Sequence, residues 1–134
     1  MKWTEALSFL GQNHRGVLAT LRADGAAQLT PVLYALVGEV IRISGTEGRA
    51  KTRNLRRDPR ASLCVLTEEF FPPYLTVEGR VRIVADPTGE ENARLYEAIT
   101  GAPPRDMAEY LAAMKRERRL IYELSIERMY PLEN

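Results

Sequence analysis

The sequence predicts a mostly β, α+β fold: a six-stranded, largely antiparallel sheet curled into a barrel with short helices at its side. Six segments read as strands, helical periodicity is confined to short stretches around them, and no βαβ rhythm links the strands into a parallel sheet. With 134 residues, 45% of them apolar, the chain can bury a core without metal or disulfide staples, so one domain spanning residues 1–134 is expected.

Trp3, Ala6, Leu7 and Leu10 recur at three- and four-residue spacing, which places them on one face of a helix that Gly11 should close. Gly16–Leu21 and Gln28–Leu36 read as the strands of a hairpin around Ala23-Asp24-Gly25, since an Asp-Gly pair tolerates positive φ. Pro31 has no N–H for a ladder, so the second strand should have an open edge or a bulge there. A third strand, Val40–Ser44, leads through the small-residue loop Ser44-Gly45-Thr46-Glu47-Gly48 into a basic helix that Asp58-Pro59 ends. Ala61–Leu66 is almost continuously apolar and reads as a strand buried on both faces.

Phe70-Phe71-Pro72-Pro73 makes a rigid aromatic loop. In Tyr74–Val84, Leu75, Val77, Val81 and Ile83 alternate with Thr76, Glu78, Arg80 and Arg82, the pattern of a half-buried strand. Asp86 is placed to cap a helix with Pro87 at its first position, running to Thr100 before Gly101. In a further helix Asp106 and Glu109 have capping-box spacing, and Met107, Tyr110, Leu111 and Met114 share a face that should enter the core. Leu120–Tyr130 alternates again as the last strand.

The most one-sided stretch is Arg49–Arg60, where six of twelve residues are basic and only Asp58 is acidic. It follows a strand and a loop of Gly, Ser and Thr, so backbone N–H groups, the positive end of a helix and full cationic charge converge. That combination suits an anion, of which phosphate is the commonest. A solvated helix face whose stems cover apolar surface is the alternative reading. Helical spacing puts Ala50, Arg53 and Arg57 along one side and Lys51, Leu55 and Asp58 along another, so the cations cannot all meet one ligand. The informative residues are those of the first turn, Arg49 and Lys51, with Asn54 behind them.

A formal charge of +1 excludes bulk attraction to nucleic acid or an acidic membrane. No charged-then-apolar leader opens the chain, and no run approaches the roughly 18 apolar residues of a spanning helix. A cytoplasmic protein with neither a nucleic-acid nor a membrane partner is expected. The single cysteine, Cys64, excludes an internal disulfide and reads as a buried, inert thiol. His14 is the one histidine and has no triad partner in motif context. One His and one Cys cannot build a zinc site, and the pairs Glu68-Glu69 and Glu90-Glu91 read as solubilising surface. A phosphate-loop lysine motif and a G-x-G-x-x-G fingerprint are both missing. No catalytic side chain and no metal are expected, so an enzymatic role would rest on a bound cofactor.

Four motifs occur in order: G-V-L-A-T-L-R-A-D-G at Gly16–Gly25, Q-L-T-P-V at Gln28–Val32, R-A-K-T-R-N-L-R-R-D-P-R-A-S at Arg49–Ser62 and V-E-G-R-V at Val77–Val81. Together they resemble the flavin and deazaflavin oxidoreductases with the pyridoxamine-phosphate-oxidase-like fold. The resemblance implies an antiparallel six-stranded split β-barrel that forms a homodimer, with two cofactor sites shared across the interface. The chain is most similar to the branch using the deazaflavin coenzyme F420, with FMN as the alternative cofactor.

By motif, Arg49, Ala50, Lys51 and Asn54 would hold the cofactor phosphate and adjoining tail, and Ser44 would join them. Gln28, Thr30 and Pro31 would flank the ring system, while Phe71, Pro73 and Tyr74 are candidates for a wall supplied by the partner chain. The implied activity is hydride transfer from reduced deazaflavin to a small conjugated or unsaturated substrate. An FMN-dependent oxidoreductase of the same fold is one alternative, and a non-catalytic carrier of flavin, deazaflavin or haem is another. The further cations Arg53, Arg56 and Arg57 favour the longer, more anionic cofactor.

Overall fold

The computed structural model describes residues 1–67 and 73–132. Its elements run α1 (Trp3–Gln12), β1 (Arg15–Leu21), β2 (Ala27–Val37), β3 (Val40–Thr46), α2 (Ala50–Arg57), β4 (Arg60–Leu66) and β5 (Tyr74–Ala85). There follow α3 (Glu90–Thr100), α4 (Met107–Arg116), β6 (Arg119–Ser125) and β7 (Arg128–Tyr130). Six strands close on themselves in the order β1-β2-β3-β6-β5-β4, every pairing antiparallel, and β7 adds to β5. The expected six-stranded antiparallel barrel is therefore the fold, with one extra strand. Among the described residues, no helix is long and apolar enough to cross a membrane.

The extra strand corrects the reading of Leu120–Tyr130 as one element. β6 pairs with β5 only as far as Leu124–Val81, and β7 resumes at Arg128–Glu78. Between them the Ser125 hydroxyl accepts from the Arg80 N–H at 3.0 Å and donates to the Arg80 carbonyl at 3.2 Å. A side chain thus replaces ladder bonds where the strand bends.

Alternation sends one side of each strand inward. Leu18, Tyr34, Ile41, Ile43, Leu63, Val65, Leu75, Val77, Tyr122 and Leu124 fill the barrel. Ala6 and Leu10 of α1 close one end, where the buried Tyr34 hydroxyl donates to the Leu10 carbonyl at 2.8 Å. Gly11 lies inside α1 rather than ending it, and the helix stops at Gln12. β4 is not buried on both faces: Ala61, Leu63 and Val65 point inward, while Ser62 and Cys64 are only half-buried on the outer face. A barrel strand has a single inward face, so its apolar outer residues carry no information about a second layer.

The barrel is split between β2 and β3. β2 pairs with β1 over Ala27–Leu33 but with β3 only over Tyr34–Val37. Pro31 sits where one edge of β2 has no partner. Because the Tyr34 N–H points to β1, bonding the His14 carbonyl at 2.8 Å, the nitrogen of Pro31, three residues earlier, faces that open edge. The expectation of an edge at Pro31 holds, without a bulge.

α2 plugs the split. On one side the buried Thr52 hydroxyl donates to the Thr46 carbonyl at 2.7 Å and bonds the Tyr122 hydroxyl. On the other side the buried Asn54 amide donates to Thr20 and to Gln28, each at 3.1 Å. Leu55 enters the barrel core between them. Each bond contributes about 0.5–1.5 kcal/mol net, but a partner left buried and unpaired costs about 1–3 kcal/mol, so the plug is specified by polar matching as much as by burial.

α3 covers the outer face of β2, β3 and β6, with its Leu95 packed on Ala35 and Ile121. Arg42 bridges Glu123 of β6 and Glu91 of α3 at 3.1 and 3.0 Å, pinning the helix. α3 begins at Glu90, not at Pro87, because Asp86 caps it from across a turn, accepting from the Glu91 and Asn92 N–H groups at 3.0 and 2.9 Å. Asp106 caps α4 as expected, accepting from Glu109 at 3.1 Å. The apolar stripe of α4 does not enter the core, and no α4 residue is fully buried. Tyr110 instead stacks edge-on against Tyr96 of α3.

Candidate functional site

At the split, on the outer face of β2 and β3, lies a cavity of about 310 Å³. Pro31, Val32 and Leu33 of the open β2 edge form its floor, and Leu95, Tyr96 and Ile99 of α3 form an apolar wall. Ser44, Lys51, Asn92, Tyr110 and Arg119 make its polar end. These five come from β3, α2, α3, α4 and β6, elements that only the closed barrel brings together.

Lys51 is the second residue of α2, behind an N-cap, Arg49, whose side chain makes no capping bond. The first-turn N–H groups of the helix are thus left without a side-chain acceptor, the usual condition for holding an anion. Burial, then Arg119, then Arg49 push the half-buried Lys51 ammonium below its ordinary pKa range. Three cations repelling one another beside an apolar wall favour a guest of opposite charge.

A hydrogen-bonded relay supports this end. The buried Asp86 carboxylate accepts from the Asn92 side-chain NH₂ at 2.8 Å. That contact fixes the amide, so Asn92 Oδ1 faces Ser44 and accepts its hydroxyl proton at 2.5 Å. Ser44 consequently turns its lone pairs toward Arg119, whose Nη1 lies 3.5 Å away. Tyr110 Oη donates to the Asn92 carbonyl at 3.2 Å, and burial raises the pKa of that phenol.

Of the residues singled out from the sequence, Pro31, Ser44 and Lys51 meet in this cavity. Arg49 and Ala50 start the adjoining helix turn. Gln28 and Asn54 are bonded to each other in the seam of the plug, and Asn54 also accepts from Arg57 at 2.9 Å, so its amide is committed to the fold. Thr30, two residues from Gln28 on β2, is half-buried opposite Leu18. Pro73 lines a larger neighbouring cleft of about 790 Å³, together with His14 and with Leu33 and Ile99, which it shares with the site. Tyr74 opens β5, and Phe71 lies outside the described residues, as do Glu68 and Glu69.

The other cations of α2 are engaged elsewhere: Arg53 with the Gly48 carbonyl at 2.5 Å, Arg56 with Glu47 at 2.6 Å, Arg57 with the Leu21 carbonyl at 2.9 Å. Arg119, Asn92, Asp86 and Tyr110 had no place in the sequence-based site. Their signal was weak, since Arg119 ends a second short basic run, Arg116-Glu117-Arg118-Arg119, and Asp86 reads as nothing more than a cap.

The chain is similar to several known proteins over most of its length. An F420H(2)-dependent biliverdin reductase from Mycobacterium tuberculosis is 28% identical over 127 residues, covering 93% of this chain and 84% of its own length. A solved F420 reductase is 32% identical, with a TM-score of 0.73, over 91% of this chain and 93% of its own. A conserved hypothetical protein from Mycobacterium tuberculosis superposes with a TM-score of 0.79 at 27% identity, over 96% of this chain and 82% of its own. The family model for pyridoxamine 5'-phosphate oxidase matches residues 3–133, taking in the barrel, its α2 plug and the cationic end of the cavity. With barrel, split and plug all inside that match, the chain belongs to the pyridoxamine 5'-phosphate oxidase family.

Proposed function

We propose that the protein is an F420-dependent oxidoreductase acting on a small conjugated or unsaturated substrate. The observation that carries the reading is the cavity at the split, where an apolar wall of Leu95, Tyr96 and Ile99 runs into a cationic end at Lys51. A planar ring bearing a phosphate matches both halves, and the identities to an F420 reductase and an F420H(2)-dependent biliverdin reductase favour the deazaflavin. When bound, that cofactor supplies the hydride chemistry. The residues present fit it: Lys51 and the first turn of α2, from Arg49 and Ala50, would hold the phosphate, and Pro31 would lie against the ring.

The tasks left to the chain are positioning and exclusion of water. The α2 plug holds Lys51 at the split through Thr52 and Asn54. The apolar wall lowers the local dielectric, which strengthens the charge-assisted contacts at the polar end. We further propose a homodimer. Leu29 and Leu33, 66% and 52% exposed, flank Pro31 along the open β2 edge, and a second chain covering them would complete the site.

The experiment is a fluorescence titration with F420 and with FMN, followed by turnover assays on quinones, enones and tetrapyrroles. Biliverdin belongs in that panel because the mycobacterial relative reduces it, as its name states. Tighter binding of F420 with turnover supports the reading. Tighter FMN binding moves the assignment to a flavin oxidoreductase, and binding without turnover of any acceptor moves it to a carrier.

A further inference from the structure

We infer that Arg119, at the start of β6, is a further binding residue for the anionic group, held in place by the Asp86–Asn92–Ser44 relay. The inference rests on the cofactor reading above, which places the phosphate at α2 alone. Arg119 stands opposite Thr46 in the β3–β6 ladder, so its outward side chain emerges beside the loop that leads into α2. Lys51 and Arg119 reach one cavity from two different elements, and each guanidinium or ammonium is partly shielded from water there.

The orientation of the guanidinium is set from both sides. Its Nε and Nη2 donate to the same Glu117 carboxylate oxygen at 3.1 and 2.9 Å. That clamp leaves Nη1 directed at Ser44 and the cavity. Ser44 cannot satisfy an anion as a donor, because its proton is committed to Asn92, which is itself fixed by Asp86. What Ser44 offers is a lone pair that steadies Nη1. An Nη1 group has two protons, so one remains for an oxygen of the guest. The arrangement converts a serine that looks like a phosphate donor into the support for an arginine that is one.

Wild type and Arg119→Gln are titrated with F420 and with the phosphate-free deazaflavin nucleoside, reading ligand fluorescence, with melting curves to confirm folding. Arg119→Gln should weaken F420 binding about tenfold or more, the size of one charge-assisted bond. It should leave the phosphate-free ligand within about twofold, on the same scale. Arg119→Lys should recover part of the loss, and Arg116→Gln, whose exposed partner is Glu109, should show none. Equal losses for both ligands, or no loss for F420, overturn the inference while leaving the Lys51 site standing. A wild-type protein that binds the two ligands equally, or neither, overturns the cofactor reading and this inference with it.

Discussion

Gly79 and Ser125 meet backbone to backbone: a Cβ built on Gly79 would lie 1.7 Å from the Ser125 carbonyl oxygen. This close approach occurs where β6 leaves β5 and the Ser125 hydroxyl takes over the bonding of Arg80. Only a residue without a side chain lets β5 pass beneath the break between β6 and β7. The barrel thus closes through a contact between main chains, supported on either flank by ordinary ladder pairs.

Gly79→Ala should cost at least about 3 kcal/mol, the upper end of ordinary overpacking, because the obstacle is backbone and cannot rotate away. Gly38→Ala is the contrast. Gly38 has φ 62° with open space around it, so alanine there costs only the left-handed backbone penalty of about 1–2 kcal/mol. Urea denaturation of both variants measures the difference.

Thr52→Val should destabilise the protein more than Tyr122→Phe. The valine removes both hydroxyl contacts at once, leaving the Thr46 carbonyl only its longer bond from the Arg49 N–H at 3.4 Å, whereas the phenylalanine removes one bond and keeps the Thr52–Thr46 contact. The expected losses are about 2–3 and about 1 kcal/mol, from two lost bonds in a buried seam against one. Equal losses in thermal unfolding would show that the plug is held by packing alone.

Lys51→Ala should weaken F420 binding about tenfold to hundredfold, the equivalent of a charge-assisted bond in a partly dry site. Arg57→Ala removes the same charge from the same helix but should show up in stability instead, since Arg57 donates to Leu21 and Asn54. Titration and melting of the two variants in one buffer separate the roles. Matching losses of affinity would reduce the site to net positive charge.

Anion binding should take up protons at alkaline pH. Burial, Arg119 and Arg49 hold the Lys51 pKa down, and a bound phosphate would offset that repulsion and move it back up. Between the free and bound values the free site is deprotonated and the bound site is not, so affinity falls as pH rises through that window. Calorimetry in two buffers of different ionisation enthalpy reads the uptake. Lys51→Arg should abolish it, because a guanidinium does not titrate there.

Sedimentation at micromolar concentration should give roughly twice the chain mass, as expected for an obligate interface burying over about 2,000 Å². Leu29→Asp and Leu33→Asp place charges on the exposed apolar edge and should yield monomers that bind F420 poorly. A wild-type monomer with full affinity would remove the dimer from the proposal.

Most of the barrel was legible because strands and hairpins are local. The Asp24-Gly25 turn, where Gly25 takes φ 85° and Asp24 bonds the Ala26 N–H at 2.9 Å, follows from two adjacent residues. The open edge at Pro31 follows from one missing donor. Where the reading failed, the deciding partner was distant: the α4 stripe fits a core face by spacing, yet it packs on α3 and cavity walls because the barrel interior is already filled by strands. Distant partners also surround Asn54, whose three bonds to Thr20, Gln28 and Arg57 lie in the plug and are set by no local pattern.

By itself the sequence determined where the barrel strands lie along the chain, the basic turn after the third strand and the candidacy of Lys51, since each rests on alternation, composition or helix-end chemistry within a few residues, whereas Ser44 entered through the family resemblance. Tertiary structure alone decided that Arg119 stands beside Lys51, that Asp86 orients Asn92 and through it Ser44, and that α2 fills the split. Periodicity tells which side of an element a residue occupies. Which residue it faces depends on barrel closure, which brings Arg119 opposite Thr46 across more than half the chain.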